Sequence, residues 1–322
     1  MAMEENIVHD FPDRCAVCGG IPVHSIGNHI DQGTKYSLYE CGKCKVQFWW
    51  PMLAPGAEWY RNDIRYKSRN ADPHLTPVNI HRVFLSDNPS PGGTLLDVGC
   101  GTGNFLAAAE KKGYRVRGID FDRDAISVAI NVFGLKNVSV ASLENIVSEN
   151  KVYDVVTFFE VLEHMDKPND FMESVKKLLS PDGFVALSVP FRGFIDVLKP
   201  GDRPPRHLTR WDDKSIKIFL ELHGFKILRL KKLLVTLDHV VTRFHFWTKG
   251  IFSFGLVDKV RKSADNPSNP KKDKKLAISA LKRAAKVKDY TLFFIPSLIL
   301  FAVLLITGKG YSGMYVLAER KK

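Results

Sequence analysis

Four of the five cysteines stand in two C-x-x-C pairs, Cys15-Ala-Val-Cys18 and Cys41-Gly-Lys-Cys44, separated by 22 residues. Four thiolates at such spacing can present a tetrahedron of soft ligands to a structural zinc ion. Gly19, Gly20 and Gly42 open the turns around them, and the gap leaves length for a β-hairpin through residues 35–40. His24 and His29 could replace a ligand, but four thiolates make that unnecessary. The alternatives are a ribbon that has lost its metal, or cysteine pairs with a redox role. The second place where chemistry could reside is Gly93 to Asp120, GTLLDVGCGTGNFLAAAEKKGYRVRGID. Three glycines at spacing two, Gly99, Gly101 and Gly103, follow Asp97, and Asp120 closes the stretch. Glycines let a ligand approach the backbone closely, and an acid at a strand tip can accept hydrogen bonds from ribose hydroxyls. Cys100 sits inside this loop and reads as a small packing residue rather than a nucleophile.

The elements that must position these residues alternate strand and helix. Residues 94–98 are a short apolar strand, 105–112 a helix closed by Gly113, and 115–119 a second strand. A dinucleotide fingerprint, G-x-G-x-x-G, would need glycine at position 104, which is Asn104. A glycine turn without a ligand is the plain alternative, disfavoured because Asp97 and Asp120 both fall where a nucleoside site needs them.

The D-x-G-x-G-x-G pattern resembles motif I of the class I S-adenosylmethionine-dependent methyltransferases. The order of the rest agrees: a helix over 123–133, a strand over 138–141, and a fourth, near-continuously apolar strand over 153–158. Phe159-Glu160-Val161-Leu162-Glu163-His164 then resembles the motif that follows strand four in ubiquinone-biosynthesis O-methyltransferases. A helix over 168–179, a turn at 180–183, a fifth strand over 184–189, a helix over 212–223 and a sixth strand over 225–234 complete a resemblance spanning about residues 93–234. It implies an α/β, doubly wound, seven-stranded Rossmann-like sheet with S-adenosylmethionine as cofactor. It further implies that Asp97, Gly99, Gly101 and Gly103 cradle the methionine half of that cofactor, Asp120 binds its ribose and Phe121 flanks its adenine. Leu143 would line the adenine pocket and Phe159 would lie under the methyl donor. Ser142 stands where the family usually carries an acid for the adenine amine. In the family a loop like 191–210 lids the acceptor pocket, and a histidine such as His207 often faces it. If the acceptor is a hydroxyl or an acidic carbon, His207 and His164 are the candidate bases, with Glu160 behind them. Capping a turn, for His164, and orienting the lid, for His207, are the structural alternatives.

The expected organisation is a zinc ribbon over 1–60, a linker with a helix near 78–85 over 61–92, and a methyltransferase core over 93–234. A basic hydrophobic insert would follow over 235–310, and a last strand within 311–322, best placed at 313–319. Phe48, Trp49, Trp50, Trp59 and Tyr60 are expected to pack the ribbon on the core; the sharper alternative makes them one wall of the acceptor pocket.

Charge is unevenly distributed. From Lys226 onward there are 21 Lys and Arg against 6 Asp and Glu; the first 225 residues hold 26 against 29. A nucleic-acid footprint should surround the cofactor site, so the near-neutral core argues against RNA. The insert ends in residues 291–307, which carry no charge. As a helix they reach about 25 Å, short of the roughly 30 Å hydrocarbon core. A full span would also separate two strands that must pair. The insert therefore reads as monotopic, resting on an anionic leaflet through its lysines and aromatics; burial in a homodimer is the alternative. Residues 1–13 are acidic and lack an apolar signal region, so a cytoplasmic, membrane-peripheral location is expected. The function expected is methyl transfer to a small-molecule, sugar or lipid-linked acceptor. A non-catalytic cofactor-binding scaffold and an RNA-modifying enzyme are the alternatives.

Overall fold

The computed structural model describes residues 11–192, 202–237, 240–241, 291, 293–307 and 310–321. They divide into two compact units. The larger comprises described residues up to 192, then 202–233 and 312–321; the smaller comprises described residues within 234–311.

The larger unit begins with a hairpin, β1 (Val23–Asp31) and β2 (Thr34–Cys41), paired antiparallel from Val23↔Cys41 to Asp31↔Thr34. Its two-residue turn, Gln32-Gly33, has both φ positive, at 46° and 86°. That is the turn whose twist matches the strands it joins. β3 (Gln47–Trp50) pairs with β2. Three helices follow: α1 (Gly56–Asn62), α2 (Ile64–Ala71) and α3 (Asn79–Asp87). Only α3 is expected from the sequence. α1 and α2 are short and polar outside, so burial of Tyr60 rather than periodicity marks α1.

The core then alternates β4 (Thr94–Val98), α4 (Asn104–Lys111), β5 (Arg115–Asp120), α5 (Arg123–Asn131), β6 (Val138–Val140), α6 (Leu143–Val147) and β7 (Tyr153–Phe159). It continues with α7 (Pro168–Lys177), β8 (Leu179–Pro190), β9 (Thr209–Arg210), α8 (Asp213–Leu222), β10 (Phe225–Leu234) and β11 (Tyr311–Arg320). The large sheet runs β10-β11-β8-β7-β4-β5-β6. Pairing is parallel along β8-β7-β4-β5-β6, and β11 is antiparallel to β8 from Gly313↔Pro190 to Glu319↔Phe184. The seven-stranded Rossmann-like sheet is therefore the observed fold, with its last strand inserted beside the fifth. β8 begins earlier than the sequence suggests. Leu179 pairs with Tyr153, and the register shifts before Val155↔Phe184, so the expected turn at 180–183 is absorbed as an irregularity.

The fourth strand of the small sheet, ordered β1-β2-β3-β9, comes from the far side of the sequence. Gln47 pairs with Arg210 and Phe48 with Thr209, and Trp49 N–H donates to Leu208 O at 2.9 Å. Phe48, Val46, Cys15 and Cys41 share one apolar cluster with Trp211, Phe171 and Phe219. Phe48 thus packs ribbon on core as expected.

In the smaller unit, residues 293–306 are helical, with Pro296 inside the run. Val235, Val240 and Leu304 are buried together. Among the described residues no helix is long and apolar enough to cross a membrane. Most of the expected insert, including its lysine cluster, lies outside the described residues, as do residues 193–201 of the expected lid loop.

Candidate active site

The glycine loop joins β4 to α4. Gly99, Gly101 and Gly103 have φ of 75°, 54° and 83°, which L side chains adopt only under strain. They do different work. A Cβ on Gly99 would meet Val161 Cγ2 at 2.6 Å, and one on Gly103 would meet Leu135 Cδ1 at 2.6 Å and Ala129 Cβ at 2.9 Å. At Gly101 the nearest atom is the end of the Arg69 side chain, at 3.4 Å. Gly101 is thus the least crowded of the three, whereas Gly99 and Gly103 permit packing.

Asp97 is buried at the end of β4 and accepts from Thr157 Oγ1 at 2.6 Å. Burial pushes its carboxyl up to about 8. Asp120, also buried, accepts from Gly101 N–H at 2.8 Å through Oδ2 and from Asp122 N–H at 2.8 Å through Oδ1. Burial raises its carboxyl as well. Asp120 therefore ties the glycine loop to β5. Phe121 follows, 41% exposed, and Leu143 is buried. Ser142 caps α6: its hydroxyl accepts from Asn145 N–H at 3.3 Å, which gives the serine a structural reason at a position where an acid was expected. Phe159 packs against His81, tilted at 45°, and edge-on to Phe105, with ring centres 5.4 and 5.0 Å away. Burial pushes the His81 imidazole down to about 4.

α1 and α2 lie over this site. Arg69 Nη2 and Asn70 Nδ2 both reach Asp122 Oδ2, at 3.3 and 2.7 Å. The Tyr60 ring is 5.1 Å from that of Phe121, and its hydroxyl lies 3.3 Å from His164 Nδ1. The Tyr60 ring thus touches both Phe121 and His164, whose ring centre is 5.8 Å away.

His164 and His207, 43 positions apart in the sequence, come together with ring centres 4.8 Å apart. His164 Nδ1 is 2.6 Å from Arg206 O, and His207 Nδ1 is 2.8 Å from Asp202 Oδ1. Asp202 also receives Arg210 Nε at 3.0 Å. Burial, reinforced by the neighbouring His207, pushes His164 down to about 3, so it is neutral at working pH. Glu160 instead turns to β8: its φ is 56°, and Ser188 Oγ donates to it at 3.0 Å. The acid beside the histidines is Glu163, 1% exposed, brought inward by a 3-10 turn over Leu162–His164. Burial holds its carboxyl well above the usual carboxylate range. Glu163, Asp202 and Arg69 were not singled out from the sequence. Glu163 lay within the motif already quoted; nothing in the spacing shows which of its two acids turns inward.

The ribbon cysteines converge. Cys15 and Cys44 sulfurs are 3.7 Å apart, Cys18 and Cys41 sulfurs 3.6 Å apart, and all four lie within 4.8 Å of one another. Tetrahedral thiolates on zinc with bonds of about 2.3 Å would stand about 3.8 Å apart. Val17, Gly20 and Cys44 N–H groups each point at a cysteine sulfur at 3.4 Å. The donor set fits zinc.

A family model for the methyltransferase domain matches residues 73–230. The ubiquinone biosynthesis O-methyltransferase of Paraburkholderia phytofirmans is 33% identical over 150 residues, covering 44% of this chain and 56% of that protein. That of Aliivibrio fischeri is 34% identical over 119 residues, covering 35% and 51%. The chain spans about half the length of the curated relatives it matches. A solved phosphoethanolamine N-methyltransferase 2 from Haemonchus contortus, in complex with S-adenosyl-L-methionine, aligns with TM-score 0.48 at 15% identity, over 80% of this chain and 56% of that one.

Proposed function

We propose that this chain, which carries a class I S-adenosylmethionine-dependent methyltransferase domain, transfers a methyl group to a hydroxyl of a small-molecule or lipid-linked acceptor. One observation carries the reading. A buried group of Glu163, His164 and His207 is joined through Tyr60 to Phe121, directly after the acid that ties the glycine loop. A place for a methyl donor and a place for a proton are thus separated by one aromatic side chain. The curated relatives are named as O-methyltransferases, which supports oxygen as the methylated atom.

S-adenosylmethionine supplies a methyl group already activated on a sulfonium sulfur. The chain must bind it, exclude water and remove the acceptor's proton. Asp120 would hold the ribose, and the backbone at Gly101 the methionine half, with Asp97 supporting the loop from beneath. Phe121 and Leu143 would enclose the adenine, and Phe159 would floor the reacting end. Tyr60 would exclude water between the two halves. His207, oriented by Asp202, and His164, oriented by the Arg206 carbonyl, would face the acceptor. Zinc at Cys15, Cys18, Cys41 and Cys44 would hold the ribbon whose β3 fixes Leu208 and Thr209, and so the position of His207.

A membrane-surface acceptor is supported by the basic surplus beyond Lys226 and by helix 293–306. That helix is about 21 Å long, and Ile295, Ile299 and Ile306 on it are 71%, 62% and 85% exposed. The reading places the chain at the cytoplasmic face. Incubating the protein with methyl-labelled S-adenosylmethionine and either lipid extracts or catechol-type phenols tests the acceptor class. Label in an alkali-stable ether supports it; label only in amines, carbon or RNA contradicts it.

A further inference from the structure

We infer that a cleft at the amino ends of β5, β6 and β7 binds a phosphate-bearing anion, at the opposite end of the sheet from the candidate cofactor site. β4, β5, β6 and β7 run parallel, and Asp97 and Asp120 lie near the carboxyl ends of β4 and β5. Arg115 and Tyr153 open β5 and β7, and Lys136 lies just before β6. The length of β5 puts Arg115 about 17 Å from Asp120. The cleft between these strand ends measures about 460 Å³ and is lined by Arg115, Arg117, Lys136, Lys151, Glu149 and Tyr153 among others.

Its charge is unlike that of the chain around it. Residues 1–225 carry 26 Lys and Arg against 29 Asp and Glu, yet the cleft gathers four cations around one acid. Strand geometry does part of this. Arg115 and Arg117, two apart, share a face of β5, and Val116 between them is buried on the other. Gly118 N–H donates to Asn137 O at 2.9 Å, which draws Lys136 alongside them. Glu149 is already engaged. Arg117 takes both of its oxygens and also reaches the Tyr153 hydroxyl at 3.2 Å, while Lys151 Nζ stands 3.3 Å from the same carboxylate. Arg117 pulls that carboxyl down to about 2, so it stays charged. Arg115 Nη1 donates to Gly92 O at 2.8 Å, a carbonyl without net charge. Asp154 also feels Arg115, but its Oδ2 accepts from Thr94 N–H and the Thr94 hydroxyl at 2.7 and 2.8 Å. Lys136 has no hydrogen bond or ion pair among the described residues. Within the cleft, four cations against one acid leave three positive charges in excess.

Like charges gathered in a cleft repel one another and concentrate anions there. The planar fork of arginine matches two oxygens of a phosphate, and lysine adds a point charge. Arg115 gives one N–H to Gly92 and keeps the rest of its fork. A phosphomonoester carries about two negative charges at neutral pH, which answers a surplus of three better than a single carboxylate does. Two sources present that group to a cleft open to solvent: a soluble phosphomonoester and the headgroup of an anionic lipid. The site does not depend on what the chain methylates.

The test is calorimetry of the full, zinc-loaded chain with glycerol 3-phosphate. Beside it runs cosedimentation with phosphatidylcholine vesicles, with and without phosphatidic acid, at one ionic strength throughout. The variants are the double substitution Arg115→Gln with Lys136→Gln, the single Glu149→Gln, and Lys35→Gln on the ribbon hairpin as a control for general charge. We expect glycerol 3-phosphate to bind, at least about tenfold more weakly in the double variant. Binding should tighten in Glu149→Gln, which removes the one acid, and stay unchanged in Lys35→Gln. A headgroup source shows instead as cosedimentation that requires phosphatidic acid and falls in the double variant but not in Lys35→Gln; it supports the same site. A Tm kept by the double variant marks it as folded. Neither probe bound by the wild-type chain, binding indifferent to the double variant, or binding weakened as much by Lys35→Gln overturns the site.

Discussion

On the proposed reading, individual side chains divide between holding the cofactor loop and facing the acceptor, and substitutions should separate the two. Gly103→Ala drives a Cβ into Leu135 and Ala129 at a φ of 83°. We expect it to destabilise the fold by about 2–3 kcal/mol, seen as a lowered Tm. Gly101→Ala meets only the flexible end of Arg69, so it should cost less stability and weaken S-adenosylmethionine binding more. Equal losses of stability would contradict this division. His81 gives a pH prediction. Its folded pKa is pushed down to about 4, below the unfolded value near 6.5. Between these pH values the unfolded chain binds a proton that the folded chain does not, so stability is full above pH 6.5 and falls on acidification towards pH 4. His81→Leu should flatten that slope in urea titrations across the window; an unchanged slope would remove His81 as its source.

At the scale of elements, the core was legible because its signals are local. The glycine spacing, the apolar runs of β4, β5 and β7 and the capped helices each specify themselves within a few residues. β11 was found because a seven-stranded sheet required it. What escaped depends on distant partners. α1 and α2 are too short and polar to show a period, and gain their place through Tyr60, Arg69 and Asn70 on the loop after β5. β9 is two residues long and exists because β3 offers it an edge. Glu160 and Glu163 are indistinguishable by composition; the backbone at Glu160, with φ of 56°, decides which turns inward. The β3–β9 pairing also carries a prediction. Zinc removal, or Cys18→Ser, should loosen residues 207–210 together with the ribbon. Hydrogen exchange at Leu208, whose N–H donates to Glu163 O at 2.8 Å, should rise with exchange at Trp49. Exchange confined to the ribbon hairpin would sink the coupling.

Across the whole molecule, a near-neutral catalytic part is joined to a strongly basic C-terminal part. On the proposed reading, the protein should sediment with vesicles containing anionic lipid and be released in part by salt, since charge and apolar burial would both contribute. Failure to bind such vesicles at low salt would leave the methyltransferase reading intact and remove the membrane from it. The central claim is that the glycine loop and Asp120 bind S-adenosylmethionine. It is met most directly by calorimetry of the purified chain with that ligand, beside Asp120→Asn. The asparagine keeps the side chain's shape and limits the loss of the loop tie. The account predicts binding in the micromolar range, weakened at least about tenfold in the variant, a difference of about 1.4 kcal/mol. A folded, metal-loaded wild-type chain that releases no heat and shows no binding would contradict it.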